Sequence, residues 1–243
     1  MTIRIAMWSG PRNISTAMMR AWENRSDCQV WDEPLYGYYL NKTGIEHPGA
    51  AEVILDQGTD WRAITKRCAH DTFGGKKISY QKHMTLHLLD EINRDWLQSM
   101  TSCFLIRDPE SVIASYAAVR EQPTLEDIGF VQQAELFDYV SQQSGAIPLV
   151  IDSADFLKNP SDMLPLFCEK LGVEFNADML SWPAGPRDTD GVWAKYWYDS
   201  VCQSTGFSKP KHRELNLSQH EREISKLAHP YYEKLYQHRL QVI

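Results

Sequence analysis

Long apolar runs are missing from this 243-residue chain, and so is any excess of positive charge. The apolar stretch after Arg4 ends at Ser9-Gly10-Pro11, too short for a signal-peptide core or a membrane span, so a cytoplasmic protein with no membrane partner is expected. A formal charge of −7 argues against a surface that neutralises a nucleic-acid backbone; no nucleic-acid partner is expected, and any anion must be held locally. Cysteine is sparse, and Cys28, Cys68, Cys103, Cys168 and Cys202 form no CxxC pair, which speaks against a disulfide framework or a zinc site. Internal repeats, low-complexity tracts and an interdomain linker are absent too, and the length suits one α/β domain over residues 1–243.

What is present is an alternation. Short apolar runs at Ile3–Trp8, Gln29–Trp31, Ile78–Gln81, Ser102–Ile106 and Pro148–Ile151 read as buried strands. Between them, apolar spacing of three and four predicts helices over Ile14–Asn24, Ala50–Gln57, Trp61–Ala69, Thr85–Asn93, Glu110–Arg120, Leu125–Gln142 and Ser161–Leu171. Ser218–Arg239 reads as a last helix, with Ser218 and Glu221 as its capping box. The pattern predicts a three-layer α/β/α fold with a mostly parallel sheet, whose ligands gather beyond the carboxyl ends of strands. Residues 182–212, with the aromatic cluster GVWAKYWYDS, break the rhythm and read as a functional flap.

The first strand runs into Ser9-Gly10-Pro11-Arg12-Asn13, and Ile14-Ser15-Thr16 then begins a helix. A helix N-terminus offers unpaired N–H groups and partial positive charge, so a phosphate gains there. Arg12 adds a forked cation and Ser15 and Thr16 add hydroxyl donors, although Ser15 as a plain cap is the simpler alternative. The GxxxxGK[ST] pattern of kinases and ATPases is not found at this loop, so ordinary ATP or GTP hydrolysis is disfavoured. A second anion site is read at Arg107, at the carboxyl end of the fourth strand, with Pro109 in the first turn of the next helix and Ser115 eight residues on.

Together these residues resemble the sulfotransferase family, whose donor is 3′-phosphoadenosine-5′-phosphosulfate, PAPS. PRNIST at Pro11–Thr16 is similar to the family's PRSGTT or PKSGTT loop for the 5′-phosphosulfate, and RDPESVIAS at Arg107–Ser115 to its grip on the 3′-phosphate. Val150–Leu164 is similar to a structural segment of the family, and Arg187 with Gly191–Trp197 more loosely to the loop that closes over the nucleotide. The resemblance implies a P-loop-like fold, a PAPS-dependent sulfotransferase without a metal, a small-molecule acceptor, and a cofactor set of Pro11, Arg12, Asn13, Ile14, Ser15, Thr16, Arg107, Ser115, Arg187 and Gly191. Asn13-Ile14 stands where Ser-Gly is common. An ATP-dependent phosphotransferase and a non-catalytic nucleotide-binding module are the alternatives.

Sulfuryl transfer needs a base for the acceptor's proton and cations for the leaving phosphate. Glu33, just after the second strand, occupies a place where several branches of the family carry a basic glutamate. His83 lies near the family's Lys-Thr-His triplet and titrates near neutrality without burial. Lys82, ahead of Lys195, is the candidate for stabilising the leaving group, and Arg12 is aimed at the breaking bond. His87, one helical turn beyond His83, makes only a weak metal pair. Trp31, Tyr36, Tyr38, Tyr39, Trp193, Tyr196, Trp197 and Tyr198 flank these segments and suit an acceptor pocket or an adenine stack.

Overall fold

A computed structural model describes residues 2–118, 122–209 and 215–242. All five expected strands form: β1 (Ile3–Ser9), β2 (Cys28–Asp32), β3 (Ile78–Met84), β4 (Thr101–Ile106) and β5 (Leu149–Asp152). They join one sheet in the order β2-β3-β1-β4-β5, with β2 and β3 parallel and β4 and β5 parallel, which is the expected α/β class. The central residues of β1, β3 and β4 are buried, as strands covered on both faces require. The order reverses at β1, so the loop after β1 leaves the sheet at its switch point, where such folds bind ligands.

The helices are α1 (Ser15–Glu23), α2 (Tyr36–Thr43), α3 (Ala50–Gln57), α4 (Trp61–His70), α5 (Pro109–Ala117), α6 (Phe130–Ser144), α7 (Ser153–Lys158), α8 (Pro160–Lys170), α9 (Ala194–Trp197), α10 (Asp199–Cys202) and α11 (Gln219–Tyr236). Ser218 and Glu221 do form the capping box of α11. The helix expected over Thr85–Asn93 does not form. β3 runs on to Met84, a single 3₁₀ turn follows at Thr85–His87, and Leu88 and Ile92 are buried one by one from irregular chain, tertiary burial overriding helical spacing. The helix expected from Leu125 starts at Phe130, because Gly129 adopts a left-handed conformation (φ 72°) that a helix cannot pass through. The end of the helix expected over Glu110–Arg120, and residues 210–212 of the expected flap, lie outside the described residues. Helix α2 was not expected; it is closed by Gly44 at φ 64°.

The chain divides into two compact units. The first comprises residues 1–7, 15–101 and 176–207. Its apolar centre joins Tyr36, Leu40, Val53, Trp193 and Tyr198, so Trp193 and Tyr198 of the expected flap are core, while Tyr196 and Trp197 stay exposed. That segment is pinned to α1. Asn24 Nδ2 donates to the carbonyls of Asp178 and Ser181 at 2.6 and 2.8 Å, and buried Arg20 pairs with Glu23 at 3.2 Å and Asp190 at 2.7 Å.

The second unit comprises residues 8–14, 102–175 and 208–243. In it Gln133 Nε2 donates to the carbonyls of Trp8 and Leu105, at 3.2 and 3.1 Å, tying the ends of two strands together. A Cβ on Gly10 would lie 2.7 Å from the Ile128 carbonyl oxygen, so only glycine fits there. Among the described residues no helix is long and apolar enough to cross a membrane.

Candidate active site

In the second unit the two sequence motifs meet. Arg12 Nε donates to Ser115 Oγ at 2.9 Å, and Arg107 Nη1 donates to the Arg12 carbonyl. Asn13 Nδ2 donates to the Leu105 carbonyl at 3.0 Å, while its Oδ1 accepts the Ile14 N–H at 2.8 Å. The loop is thus fastened to β4 by the side chain of Asn13. The residue in the left-handed region is Arg12, at φ 57°, and not Ile14. A glycine is therefore not needed at position 14; the backbone strain sits one residue before Asn13, as often happens at ligand-binding turns.

Pro11, Arg12, Asn13 and Ile14 are half-buried, and the next two residues, Ser15 and Thr16, open α1. Burial lowers the Arg12 guanidinium from its ordinary value, and among the described residues no carboxylate pairs with it. Asp108 is occupied in capping α5, where it accepts the Ser111 N–H at 2.9 Å. The second unit therefore carries two arginines, a serine hydroxyl and the turn leading into α1 in one place, a donor set for an anion with several oxygens.

The first unit holds a buried charge cluster. β2 and β3 are in a register that sets Asp32 beside Lys82. The Lys82 ammonium, 1% exposed, donates to Asp32 Oδ1 at 2.9 Å, to Glu33 Oε1 and to Tyr198 Oη at 2.7 Å. Tyr198 Oη passes its own proton toward Asp32 Oδ2 at 2.6 Å and accepts from Trp193 Nε1 at 3.3 Å. Every polar atom of that hydroxyl is used. Burial alone would lower Lys82, but Asp32, Glu33 and Tyr198 outweigh it and hold the ammonium well above its ordinary value. Glu33 is pushed the other way from most paired acids: burial raises its carboxyl, Lys82 offsets this in part, and Asp32 raises it further. Glu33 also sits at φ 41°, a second left-handed residue among the candidate site residues.

Residues 3–239 match the family model described as a sulfotransferase domain. The chain belongs to the sulfotransferase domain family. The sulfotransferase domain of the Synechococcus PCC 7002 olefin synthase shares its fold, with a TM-score of 0.52 at 16% identity over 93% of this chain and 94% of that one. Two Arabidopsis thaliana proteins, branched-chain-amino-acid aminotransferase-like proteins 1 and 2, are 35% and 31% identical over 207 residues, 85% of this chain. The chain spans only 37% and 36% of those relatives' lengths.

Strand alternation separates the two candidate bases. Lys82 and His83 are neighbours on β3 and so face opposite sides of the sheet. His83, 1% exposed, lies 3.2 Å from Gln81 Oε1 and 5.7 Å from the Trp96 ring, and burial lowers it to about 3. Glu33 belongs to the Lys82 cluster and His83 does not. Of the other candidates, Lys195 is exposed and paired with Glu52 at 2.6 Å. Arg187 donates to the Pro183 carbonyl at 3.3 Å and approaches Glu23 at 3.9 Å. Gly191 lies under the Trp193 ring, where a Cβ would meet that ring at 2.1 Å. Trp31 stacks with Arg67 and Tyr38 binds Glu91, so neither joins the aromatic group of Tyr36, Tyr39, Trp193 and Tyr198. Among the described residues no three or more His, Cys, Asp or Glu are placed to hold a metal ion.

Asp32 and the Tyr198 hydroxyl are the members of the Lys82 cluster that reading the motifs missed. The signal was there for one of them: a lysine inside an otherwise buried strand needs a counter-ion, and Asp32 ends the short apolar run of β2.

The histidines set an acid limit on stability. His83 at about 3 and His87, which burial and Lys82 push well below its ordinary value, stay neutral in the folded state while the unfolded chain takes up protons below about pH 6.5. Their contribution is complete above that pH and is lost as pH falls toward 3, by up to about 1.4 kcal/mol per pH unit for each histidine. The raised Glu33 carboxyl acts in the opposite sense, so the two must be separated. Urea unfolding between pH 7 and 4.5 should show His83→Gln losing less stability than the wild type across that range; equal slopes would mean that His83 titrates normally in the fold.

Proposed function

We propose that this sulfotransferase moves the sulfuryl group of PAPS to a hydroxyl or amine of a small-molecule acceptor, acting as one domain over residues 1–243. The observation that carries the reading is Arg12, a half-buried guanidinium without a carboxylate partner among the described residues, hydrogen-bonded to Ser115 and held at its own carbonyl by Arg107. Desolvating a cation without a counter-ion is costly, and an anionic ligand removes the cost. The donor set fits the phosphosulfate and 3′-phosphate of PAPS, which supplies the activated sulfuryl group when bound.

Arg12, Asn13, Ser15 and Thr16 hold the 5′ end and Arg107 with Ser115 the 3′-phosphate, with Arg12 offsetting charge that grows on the leaving phosphate. Glu33 takes the acceptor's proton. Its raised carboxyl makes it a stronger base than a surface glutamate, and Lys82 offsets part of that rise. Lys82 is therefore assigned to Glu33 and Asp32 rather than to the leaving group.

Calorimetry with 3′,5′-ADP tests this. The wild type should bind it more tightly than magnesium ATP, and Arg107→Ala should weaken binding at least about tenfold, the loss expected for a charge-assisted hydrogen bond. Tighter magnesium ATP would favour a phosphotransferase, and binding with no transfer to any acceptor a non-catalytic module. Glu33→Gln should slow transfer by about 10²–10⁴-fold, whereas His83→Asn should leave it within about threefold.

A further inference from the structure

The His87 ring packs against two tyrosines. It stacks on Tyr36 with centroids 4.6 Å apart and planes 2° from parallel, and Tyr39 covers it at 4.8 Å. Residue His87 is only 5% exposed, yet its Nδ1 has no hydrogen-bond partner. That atom faces Glu33 Oε2 across 3.9 Å, too far for a hydrogen bond. An oxygen about 2.8 Å from each atom would bridge them at roughly a right angle. The Glu33 side chain, 11% exposed, is also the member of the charge cluster that opens to the outside, beside Lys82 at 1% and Asp32 at 2%.

We propose that the gap between Glu33 Oε2 and His87 Nδ1 is the acceptor subsite of the sulfotransferase, that it takes a hydroxyl in preference to an amine, and that His87 is the residue that decides this. The inference rests on the proposed PAPS-dependent reading and deepens it. The carboxylate opposite favours the tautomer with its proton on Nδ1, since a lone pair facing a negative oxygen is repelled. The pair then presents one donor and one acceptor.

A hydroxyl satisfies both. It donates its proton to Glu33, accepts from His87 with one lone pair and keeps the second for attack. A neutral amine has a single lone pair, and once that accepts from His87 nothing remains to attack. In the step itself the acceptor oxygen bonds to sulfur, the bond from sulfur to the donor's phosphate oxygen breaks with its electrons leaving on that oxygen, and the acceptor proton passes to Glu33. His87 gives up no proton; it orients the nucleophile.

Two readouts test this. In histidine-labelled protein at pH 7, nitrogen NMR should find His87 neutral with its proton on Nδ1, a result that needs neither donor nor acceptor. With PAPS, 2-phenylethanol should be sulfated and 2-phenylethylamine, its equal in size, should not. His87→Phe, which keeps the stacking, should lower kcat/KM for the alcohol by about ten- to a hundredfold, His87→Asn should recover part of the loss, and both should bind 3′,5′-ADP within about twofold of wild type. A proton on Nε2, an amine that reacts as fast as the alcohol, or an unaffected His87→Phe overturns the assignment. Should neither probe react, the tautomer decides alone. Failure of the wild type to bind 3′,5′-ADP would instead sink the donor reading and leave the tautomer result standing.

Discussion

Arg12→Ala is expected to lower sulfuryl transfer by about a thousandfold while shifting unfolding free energy by less than about 1 kcal/mol. The contrast follows from where Arg12 sits. Its side chain makes one hydrogen bond, to Ser115, and meets no carboxylate among the described residues, so little native stabilisation depends on it. Alanine keeps the left-handed backbone that the loop imposes at φ 57°, and the Asn13 bond to the Leu105 carbonyl continues to fasten the turn. On the proposed reading, what disappears is a preorganised cation where negative charge grows in the transition state, the kind of group whose removal has a large kinetic effect. Arg12→Lys should recover little, because an ammonium cannot bond Ser115 and present a fork to an anion together. Single-turnover rates beside urea unfolding would measure both quantities, and a variant that loses stability and rate in proportion would make Arg12 a structural residue.

The largest effect on stability is expected from Lys82→Met, about 3–5 kcal/mol. Lys82 and Asp32 are 1% and 2% exposed, and removing the ammonium leaves two carboxylates side by side without a cation. Methionine preserves much of the volume, so the cost is electrostatic rather than a cavity. Glu33, already raised by burial and by Asp32, would lose the partner that restrains the shift, and its carboxyl would rise further. Stability of the variant should therefore improve as pH falls through the raised Glu33 value, since there the folded state binds the extra proton. Chemical unfolding at pH 5 and pH 8 would show this as a narrowing gap from wild type at the lower pH. A loss below about 1 kcal/mol would mean that the cluster is hydrated and the ion pairs are weak.

Much of the fold was legible in the sequence because each element advertises itself locally. All five strands stood out as short apolar runs, and α3 and the capping box of α11 were read to the residue. The misses have a common source. Leu86, Leu88, Leu89 and Ile92 carry helical spacing, but β3 continues through Met84, a 3₁₀ turn takes Leu86, and of the four only Leu88 and Ile92 are buried, from irregular chain. Pairing across a sheet is decided by partners far along the chain, which local spacing does not record.

The sequence by itself determined where the candidate anion-binding motifs lie, since Pro11–Thr16 and Arg107–Ser115 are contiguous and the chemistry proposed for them lies in residue type and spacing. The family match covers residues 3–239. Only the tertiary structure decided which base candidate stands with the cluster, because Lys82 and His83 are adjacent in sequence and opposed on the strand, and one faces Asp32 and Glu33 while the other faces Gln81 and Trp96. It decided as well that Tyr198 bonds both Lys82 and Asp32 across more than a hundred residues, and that the strained backbone falls at Arg12 and Glu33. Burial turns a lysine from a solvated charge into a fixed partner, and burial is a property of the packed chain.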